Sequence, residues 1–335
     1  MKKKTLLLVL LAALLVLALW RLDFDRLLYS IAKLPLWLVF TLLGLQIVSQ
    51  LLLNLQWWLA ARCSNAALSF PTMLYINCQG AMVDAVTPGV KVGGEIARAV
   101  QISRLGHCSG EQAGAVVAMQ KLFSLSAFFL IQLLTIGFLF RHTAALGSPL
   151  LQGGIYGVLL LALALFAGTV LAPHRLQTRL QRRAPSRFKW ARRVRRFFLT
   201  LLGQVIVLRG NKKALTGLFA LSVLIWLLYP AKLYLLMLHL PHTISVYQLT
   251  AVVFAAYMVA MVPLFPGGLV GFEGTMSGLL LTLGVALTDA AVVTVLFRFF
   301  TFWLVLLLGL GFAAVYKALH KNPTAITEVR VHEKR

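Results

Sequence analysis

The chain has 335 residues, of which 60% are hydrophobic and 12% charged, and its mean hydropathy is +0.87. Soluble domains carry about twice that charged fraction, so the composition excludes a soluble enzyme and predicts an all-α polytopic membrane protein. The formal net charge of +23 comes from basic residues in short segments between apolar runs. Membrane topology and anionic lipid headgroups therefore explain this charge more simply than nucleic-acid binding does.

Apolar runs that approach or exceed the roughly 20 residues needed to cross a hydrocarbon core recur along the chain. Three lysines at positions 2–4 precede the first run, at 5–20, which resembles a signal sequence. No small-x-small cleavage site follows it, so we predict an uncleaved first span. The other full spans are predicted at 36–61, 115–140, 151–172, 214–238 and 290–316.

The distribution of Lys and Arg predicts how these spans are oriented. Segment 173–213 carries 13 of the 32 basic residues, which places it in the cytoplasm. We expect a multi-pass protein of the bacterial cytoplasmic (inner) membrane, with both ends of the chain in the cytoplasm. Within the segment, apolar residues recur every three or four positions beside four arginines. This pattern predicts an amphipathic helix along an anionic leaflet, although a topology anchor explains the charges equally well. The apolar stripe is Trp190, Val194, Phe197, Leu201, Val205 and Leu208, and the arginines are Arg192, Arg193, Arg195 and Arg196.

Two regions, 71–107 and 245–288, contain a Pro-Gly break between two short apolar runs. The breaks read "TPGVKVGGE" at 87–95 and "FPGGLVGFE" at 265–273, and they share P-G-x-x-V-G-x-E at an offset of 178 residues. The same offset places Gly106 on Gly284 and lays span 36–61 on span 214–238. These matches predict an internal repeat.

The charge rule gives the two repeats opposite orientations across the membrane. Inverted-topology repeats with broken helices are a transporter architecture, in which irregular backbone at depth lines a cavity. The predicted fold has about six full spans and two re-entrant broken-helix hairpins in a single integral membrane domain, 1–335. Its parts are repeat 36–140, an extra span with a basic cytoplasmic or interfacial helix at 141–213, repeat 214–316 and a cytoplasmic tail at 317–335.

The glycines of each break suggest a site where a ligand or another segment approaches the backbone closely. After the break, a new helix is expected to start near Gly94 or Glu95, and near Gly271 or Glu273. Its unpaired N–H groups and its dipole favour an anion, either a phosphate headgroup or a buried carboxylate.

Each glutamate allows two interpretations. It either satisfies the amides of its own helix or binds a cationic group, a proton or a basic partner. For Glu95 we favour the first, because Arg98 lies three residues further on and can pair with it. For Glu273 we favour neither interpretation over the other.

Other charged residues are candidates for the same environment. Lys121 and Arg298 lie in otherwise apolar spans and are expected to face the bundle interior, where they would neutralise the glutamates or contact a phosphate. Asp84 is expected to pair with Lys91 or Arg104. The candidate substrate-binding residues are Pro88, Gly89, Gly93, Gly94, Glu95, Arg98, Lys121, Pro266, Gly267, Gly268, Gly271, Glu273 and Arg298.

No catalytic motif and no metal-ligand or cofactor motif is found in the sequence, so no catalytic residue, metal or cofactor is predicted. The cysteines at 63, 78 and 108 form no close pair, which argues against a disulfide framework and a zinc site.

The two breaks resemble those of the transmembrane region of bacterial lysylphosphatidylglycerol synthases, which flippase-like stand-alone membrane proteins share. The resemblance covers nearly the whole chain and is carried most sharply by Pro266, Gly267, Gly268 and Glu273. In the full-length synthases this region is understood to move aminoacylated phosphatidylglycerol between leaflets, with two re-entrant helices at its centre. The domain that attaches the amino acid is not seen here, so the resemblance implies lipid handling and not aminoacyl transfer.

Our leading hypothesis is a lipid translocator that holds an anionic phospholipid or lipid-phosphate headgroup between the two breaks. One alternative is a membrane-embedded lipid-modifying enzyme that uses Glu273 or Glu95 as a base. Another is an accessory subunit that recruits a lipid-synthesis enzyme through the helix at 187–196. Membrane lipids are the expected partners, with a homo-oligomer or a synthase as further possible partners and no nucleic acid.

Overall fold

The computed structural model describes residues 35–64, 66–87, 92–142, 148–182, 189–238, 244–262, 268 and 270–319. The span expected at 5–20 lies outside these residues, as does nearly all of the tail expected at 317–335. Four candidate site residues also lie outside them, namely Pro88, Gly89, Pro266 and Gly267.

The described residues form eleven helices and no strand. Five of these helices, α1, α4, α5, α8 and α11, are long and apolar enough to cross a membrane, which confirms the five long spans predicted beyond residue 35. The helices are α1 (Leu36–Cys63), α2 (Phe70–Val86), α3 (Val92–Leu105), α4 (Gly110–His142), α5 (Pro149–Leu171), α6 (Pro173–Arg182), α7 (Lys189–Gly210), α8 (Lys212–Met237), α9 (Val246–Ala260), α10 (Gly271–Thr282) and α11 (Leu287–Leu319).

The two irregular regions each form a pair of short helices that pack against one another, α2 with α3 and α9 with α10. These helices have 17, 14, 15 and 12 residues, fewer than the roughly 20 that span a bilayer. Serine caps begin the first helix of each pair, because Ser69 accepts from the Thr72 amide and Ser245 forms a capping box with Gln248. We call these pairs the first hairpin (α2–α3) and the second hairpin (α9–α10).

Helix bounds and packing repeat along the chain. Adding 178 to the α3 bounds, 92 and 105, gives 270 and 283, and α10 runs from 271 to 282. The contacts between the two halves correspond as well. Helix α2 of the first half packs against α11 of the second, and α9 of the second half packs against α4 of the first. Helices α1 and α8, which correspond under the same offset, pack against each other. The opposite orientation of the halves in the membrane stays a prediction.

Each hairpin belongs to its own apolar core. One core includes Met73 and Ile102 of the first hairpin, and the other includes Phe254 and Phe272 of the second.

Part of the stripe predicted to face the leaflet is instead buried. Leu201, Val205 and Leu208 of α7 lie in the first core, since α7 packs against α4, whereas Val194 is 43% exposed. The predicted contact with the leaflet was therefore wrong for the second half of α7, because α4 covers its apolar surface.

Candidate functional site

The start of α3 is closed by a carboxylate of its own hairpin. Asp84, near the end of α2, accepts a hydrogen bond from the Gly94 amide at 2.9 Å through Oδ1. Its Oδ2 accepts from Arg98 Nη1 at 2.9 Å. Both charged side chains are buried, and the guanidinium also lies 5.4 Å from the centre of the Trp57 ring. The carboxylate thus takes the place that an anionic ligand would occupy at this helix N-terminus.

This pairing corrects two predictions from the sequence. Asp84 was expected to bind Lys91 or Arg104, and Arg98 was expected to bind Glu95. The spacing of three residues along a helix made the second pair reasonable, but the fold brings α2 against α3 and offers Arg98 a buried carboxylate from the neighbouring helix.

Two glycines allow the helices of the first hairpin to approach this closely. A Cβ atom added to Gly94 would lie 2.2 Å from the Asp84 carboxyl and 2.3 Å from the Gly80 carbonyl oxygen. A Cβ atom on Gly80 would lie 2.4 Å from Arg98 Nε. Gly93 is also enclosed, by the Thr87 side chain. The space beside Gly93 and Gly94, which were predicted to bind substrate, is therefore occupied by other atoms of the protein itself.

Glu95 binds a different cation from the one expected. It forms an ion pair with Lys121 of α4, and its side chain is 18% exposed. The expectation that Lys121 neutralises a glutamate is thus confirmed. This pair connects the first turn of α3 to the long span next to it.

At the start of α10 the residues that the structure describes, which do not include 263–267 and 269, form no comparable cluster. The helix begins at Gly271, as predicted, and Val270 at its N-cap has φ +70° and makes no side-chain capping hydrogen bond. Gly268 also has a positive φ, of +69°, and packs against Ala260 at the end of α9. A positive φ is unusual for a β-branched residue, and such strain concentrates at functional sites.

Glu273, in the first turn of α10, forms an ion pair with Arg298 of α11. Arg298 Nε donates to Glu273 Oε1 at 2.8 Å. The guanidinium lies between two aromatic rings, 4.7 Å from the centre of Phe272 and 4.4 Å from that of Phe302. Glu273 Oε2 is buried and has no hydrogen-bond partner in the part of the chain that the structure describes. The site therefore holds a cation fixed by aromatic faces and a carboxylate with unused acceptor capacity.

A π-helical turn, Phe299–Trp303, follows Arg298 immediately. Insertions of this kind occur often at functional sites, because the extra residue changes the direction of neighbouring side chains. Here the turn places Phe302 over the Arg298 guanidinium.

The candidate residues therefore form two groups. Gly93, Gly94, Glu95, Arg98 and Lys121 lie around the start of α3. Around the start of α10 lie Gly268, Gly271, Glu273 and Arg298. The helices α3 and α10 are not among the principal helix–helix contacts of the described chain, and most residues of both breaks lie outside it, so the single site expected between the breaks stays a prediction.

One interior cation was missed in the sequence analysis. Lys232 of α8 is fully buried and donates to Gln46 and Ser49 of α1. An ionisable residue inside an apolar span is a signal for function, and that signal was present in the sequence.

Comparison with known proteins identifies the family. Residues 5–309 match the family described as the lysylphosphatidylglycerol synthase TM region. The chain belongs to this family. The resemblance recognised at the two breaks is thereby confirmed, and it covers nearly the whole chain.

Two relatives of this family member carry the description UPF0104 membrane protein. One, from Methanothermobacter thermautotrophicus, is 25% identical over 280 residues, which cover 80% of this chain and 82% of the relative. The other, from Pyrococcus horikoshii, is 24% identical over 323 residues, which cover 92% of this chain and 95% of the relative. The family and the apolar helices together establish a multi-pass membrane protein.

Proposed function

We propose that this member of the lysylphosphatidylglycerol synthase TM-region family moves a lipid with an anionic headgroup between the leaflets of the cytoplasmic membrane. The headgroup phosphate would bind at the start of α10, beside Arg298 and Glu273. Segment 173–213 would face the cytoplasm, and the hairpins would be re-entrant from opposite sides.

The observation that carries this proposal is the contrast between the two helix starts. The N-terminus of a helix attracts anions through its unpaired amides and its dipole. At α3 the Asp84 carboxylate already accepts from the Gly94 amide. At α10 the N-cap residue Val270 makes no side-chain capping hydrogen bond, and the Phe272 amide, the counterpart of the Gly94 amide, donates to the Gly268 carbonyl oxygen at 3.1 Å. The phosphate would accept from the amides of Gly271 and Glu273 in the same turn.

The Glu273–Arg298 pair would then act as an exchange site. A phosphate competes with Glu273 for the guanidinium, whose position is held by the Phe272 and Phe302 rings. When the phosphate leaves, Glu273 restores the pair and no buried cation remains uncompensated. Such exchange keeps binding weak enough for release, which a translocator requires.

A place for the lipid tail lies next to the second hairpin. An open apolar groove of about 620 Å³ lies between α4, α5 and α9 and is lined by Phe129, Leu151, Ile155, Leu159 and Met258. Met258 belongs to the last turn of α9, just before the second break. The volume lies in the range of ligand pockets, and the apolar lining suits an acyl chain.

The test is lipid movement in liposomes. Purified protein is reconstituted with a trace of fluorescently labelled phosphatidylglycerol, and dithionite reduction reports the label that reaches the outer leaflet. We expect faster movement than in empty vesicles. Glu273→Gln and Arg298→Ala should each reduce the rate while leaving the amount of reconstituted protein unchanged.

A matched control uses an ion pair remote from the site. Glu111 lies 3.8 Å from the exposed Arg196, so Glu111→Gln should retain wild-type movement. Equal rates for protein and empty vesicles across a panel of anionic labelled lipids would refute the proposal. Equal loss in Glu111→Gln and Glu273→Gln would show that the second break has no special role.

A further inference from the structure

Lys232 is the most deeply buried cation of the described chain. Its side chain is 0% exposed, and its ammonium donates to Gln46 Oε1 at 2.6 Å and to Ser49 Oγ at 2.8 Å. The ammonium also lies 4.8 Å from the centre of the Tyr229 ring. All these partners are neutral. The cation therefore joins α8 of one half to α1 of the other through neutral groups.

No carboxylate among the described residues forms an ion pair with Lys232. Four of the five acidic residues there bind other cations, and the fifth, Asp289, lies in the first turn of α11. A buried charge without a counter-ion costs several kcal/mol, and a group in this position can lower that cost by losing its proton.

The surroundings suit both protonation states of the amine. A charged ammonium has three N–H groups, which match two oxygen acceptors and one aromatic face. A neutral amine has two N–H groups, which match the same two oxygens. The proton can therefore leave without leaving either oxygen unpaired.

Among the described residues, Tyr229 is the one ionisable side chain that contacts the Lys232 ammonium. Helix α8 packs against α1, α4, α7, α9 and α11. From α1 the neutral Gln46 and Ser49 reach the ammonium, and from α9 the ring of Tyr257 contacts Tyr229 at 5.2 Å. Lys121 of α4 and Arg298 of α11 pair with the two glutamates of the hairpins, and the other charged residues of these helices lie in their terminal turns, namely Glu111, Arg141, Asp289 and Lys317.

A continuous row of rings connects Lys232 to the second break. Tyr229 contacts Tyr257, Tyr257 contacts Phe272 at 4.8 Å, and Phe272 lies under the Arg298 guanidinium. A change of charge at Lys232 alters the cation–π contact with the first ring of this row. Such a change can shift Phe272, which forms one side of the Arg298 site.

We propose that Lys232 is a proton-binding site, and that binding and release of a proton at its amine drives the movement of lipid headgroup through the second break. The N–H bond of the ammonium breaks, its electron pair stays on the nitrogen, and the proton passes to water on one side of the membrane. Water on the other side supplies the next proton. This inference rests on the proposed translocation, but the proton site can be tested without it.

The first experiment measures protonation directly and needs no lipid movement. Trp226 lies 5.5 Å from Tyr229 and is a local reporter. Its contribution is obtained as the difference in tryptophan fluorescence between wild type and Trp226→Phe from pH 5 to pH 10. We expect a one-proton transition that Lys232→Met abolishes, because Met has similar length and binds no proton. A transition that persists in Lys232→Met would overturn the proposal. So would a wild-type protein with no transition in that range.

The second experiment imposes a pH gradient of one unit across liposomes that contain labelled phosphatidylglycerol. If one proton accompanies each lipid, the label should become asymmetric between leaflets by up to about tenfold. Lys232→Met should abolish the asymmetry. Lys232→Arg, which keeps a permanent charge, should be slow with or without the gradient.

Two outcomes separate the two proposals, and a third would assign Lys232 a structural role. No lipid movement by wild type, together with the Lys232-dependent fluorescence transition, would reject translocation and keep the proton site. Movement with the same gradient response in wild type and Lys232→Met would reject the proton site and keep translocation. If Lys232→Met does not fold, Lys232→Gln replaces it, and a loss of thermal stability without a changed pH profile would assign Lys232 a structural role only.

Discussion

The two hairpins have the same backbone plan and different chemistry at their breaks. In the first, Asp84, Gly94 and Arg98 form a buried cluster that closes the start of α3. At the offset of 178 residues the corresponding positions are Val262, Phe272 and Met276. None of these side chains can form an ion pair, and at the start of α10 the N-cap residue makes no side-chain capping hydrogen bond, while the Glu273–Arg298 pair lies beside it.

This difference shows how the two halves of a repeat can take different roles. Both halves need a break between two short helices, and both hold a glutamate in the first turn after it, paired with a cation of the following long helix. One half uses the attraction of its helix N-terminus for anions to hold its own hairpin together. In the proposed function, the other half leaves that attraction available to a ligand.

The largest expected effect is the loss of the buried carboxylate at the first break. Asp84→Ala leaves Arg98 buried without its partner, and breaking such a pair costs about 3–5 kcal/mol. We expect a clearly lower midpoint of thermal unfolding in detergent. Val262→Ala is the matched change in the second half and should shift the midpoint little. Similar midpoints for Asp84→Ala and wild type would show that the cluster does not hold the hairpin.

The next effect distinguishes the two glutamates by activity. Glu273→Gln weakens the charged hydrogen bond to Arg298, which is worth about 1.5–3 kcal/mol, so lipid movement should fall roughly tenfold to a hundredfold. Glu95→Gln weakens its pair with Lys121 and should affect stability more than movement. Both variants are measured in the liposome assay, which reports lipid movement, and by the midpoint of thermal unfolding, which reports stability. A larger loss of movement in Glu95→Gln would reverse the roles assigned to the hairpins.

A third comparison concerns close packing. Gly94→Ala forces a Cβ atom against Asp84 and the Gly80 carbonyl, and overpacking of this kind costs about 1–3 kcal/mol. Gly274, in the first turn of α10, has no atom within 4 Å of an added Cβ. Gly274→Ala should therefore be tolerated, as judged by the yield of monodisperse protein in size-exclusion chromatography. Equal yields would contradict the close approach at Gly94.

The smallest effect is expected from the strained residue before α10. Val270 has φ +70°, which glycine adopts without a steric penalty. Val270→Gly should leave the unfolding midpoint unchanged or raise it slightly, because relief of strain offsets the greater freedom of the unfolded chain. Gly268→Val, the opposite change at a second positive φ, should lower the midpoint. A marked loss of stability in Val270→Gly would mean that the valine side chain packs at the break.

Several features of the protein followed from the sequence. The five long helices appear as predicted, because a run of apolar residues of sufficient length has few alternatives to a membrane helix. The start of α10 at Gly271 also followed, since Pro and Gly interrupt helices. The pairing of Lys121 and Arg298 with glutamates was anticipated because interior cations require partners.

The partners themselves could not be predicted with the same success. Spacing along one helix suggested that Arg98 binds Glu95, yet packing of α2 against α3 brings Asp84 to Arg98 instead. Lys232 and its contacts to Gln46 and Ser49 depend on α8 meeting α1 across the two halves, which are separated by more than 180 residues of chain.

Hydrophobic runs and helix breakers act over a few neighbouring residues, so the amino-acid sequence by itself determined the spans, the two breaks and the family. Tertiary packing alone decided which charged groups meet, and with them that a carboxylate closes the start of α3. The physical reason is that an ion pair forms at distances of about 3–4 Å between groups that only the folded chain brings together.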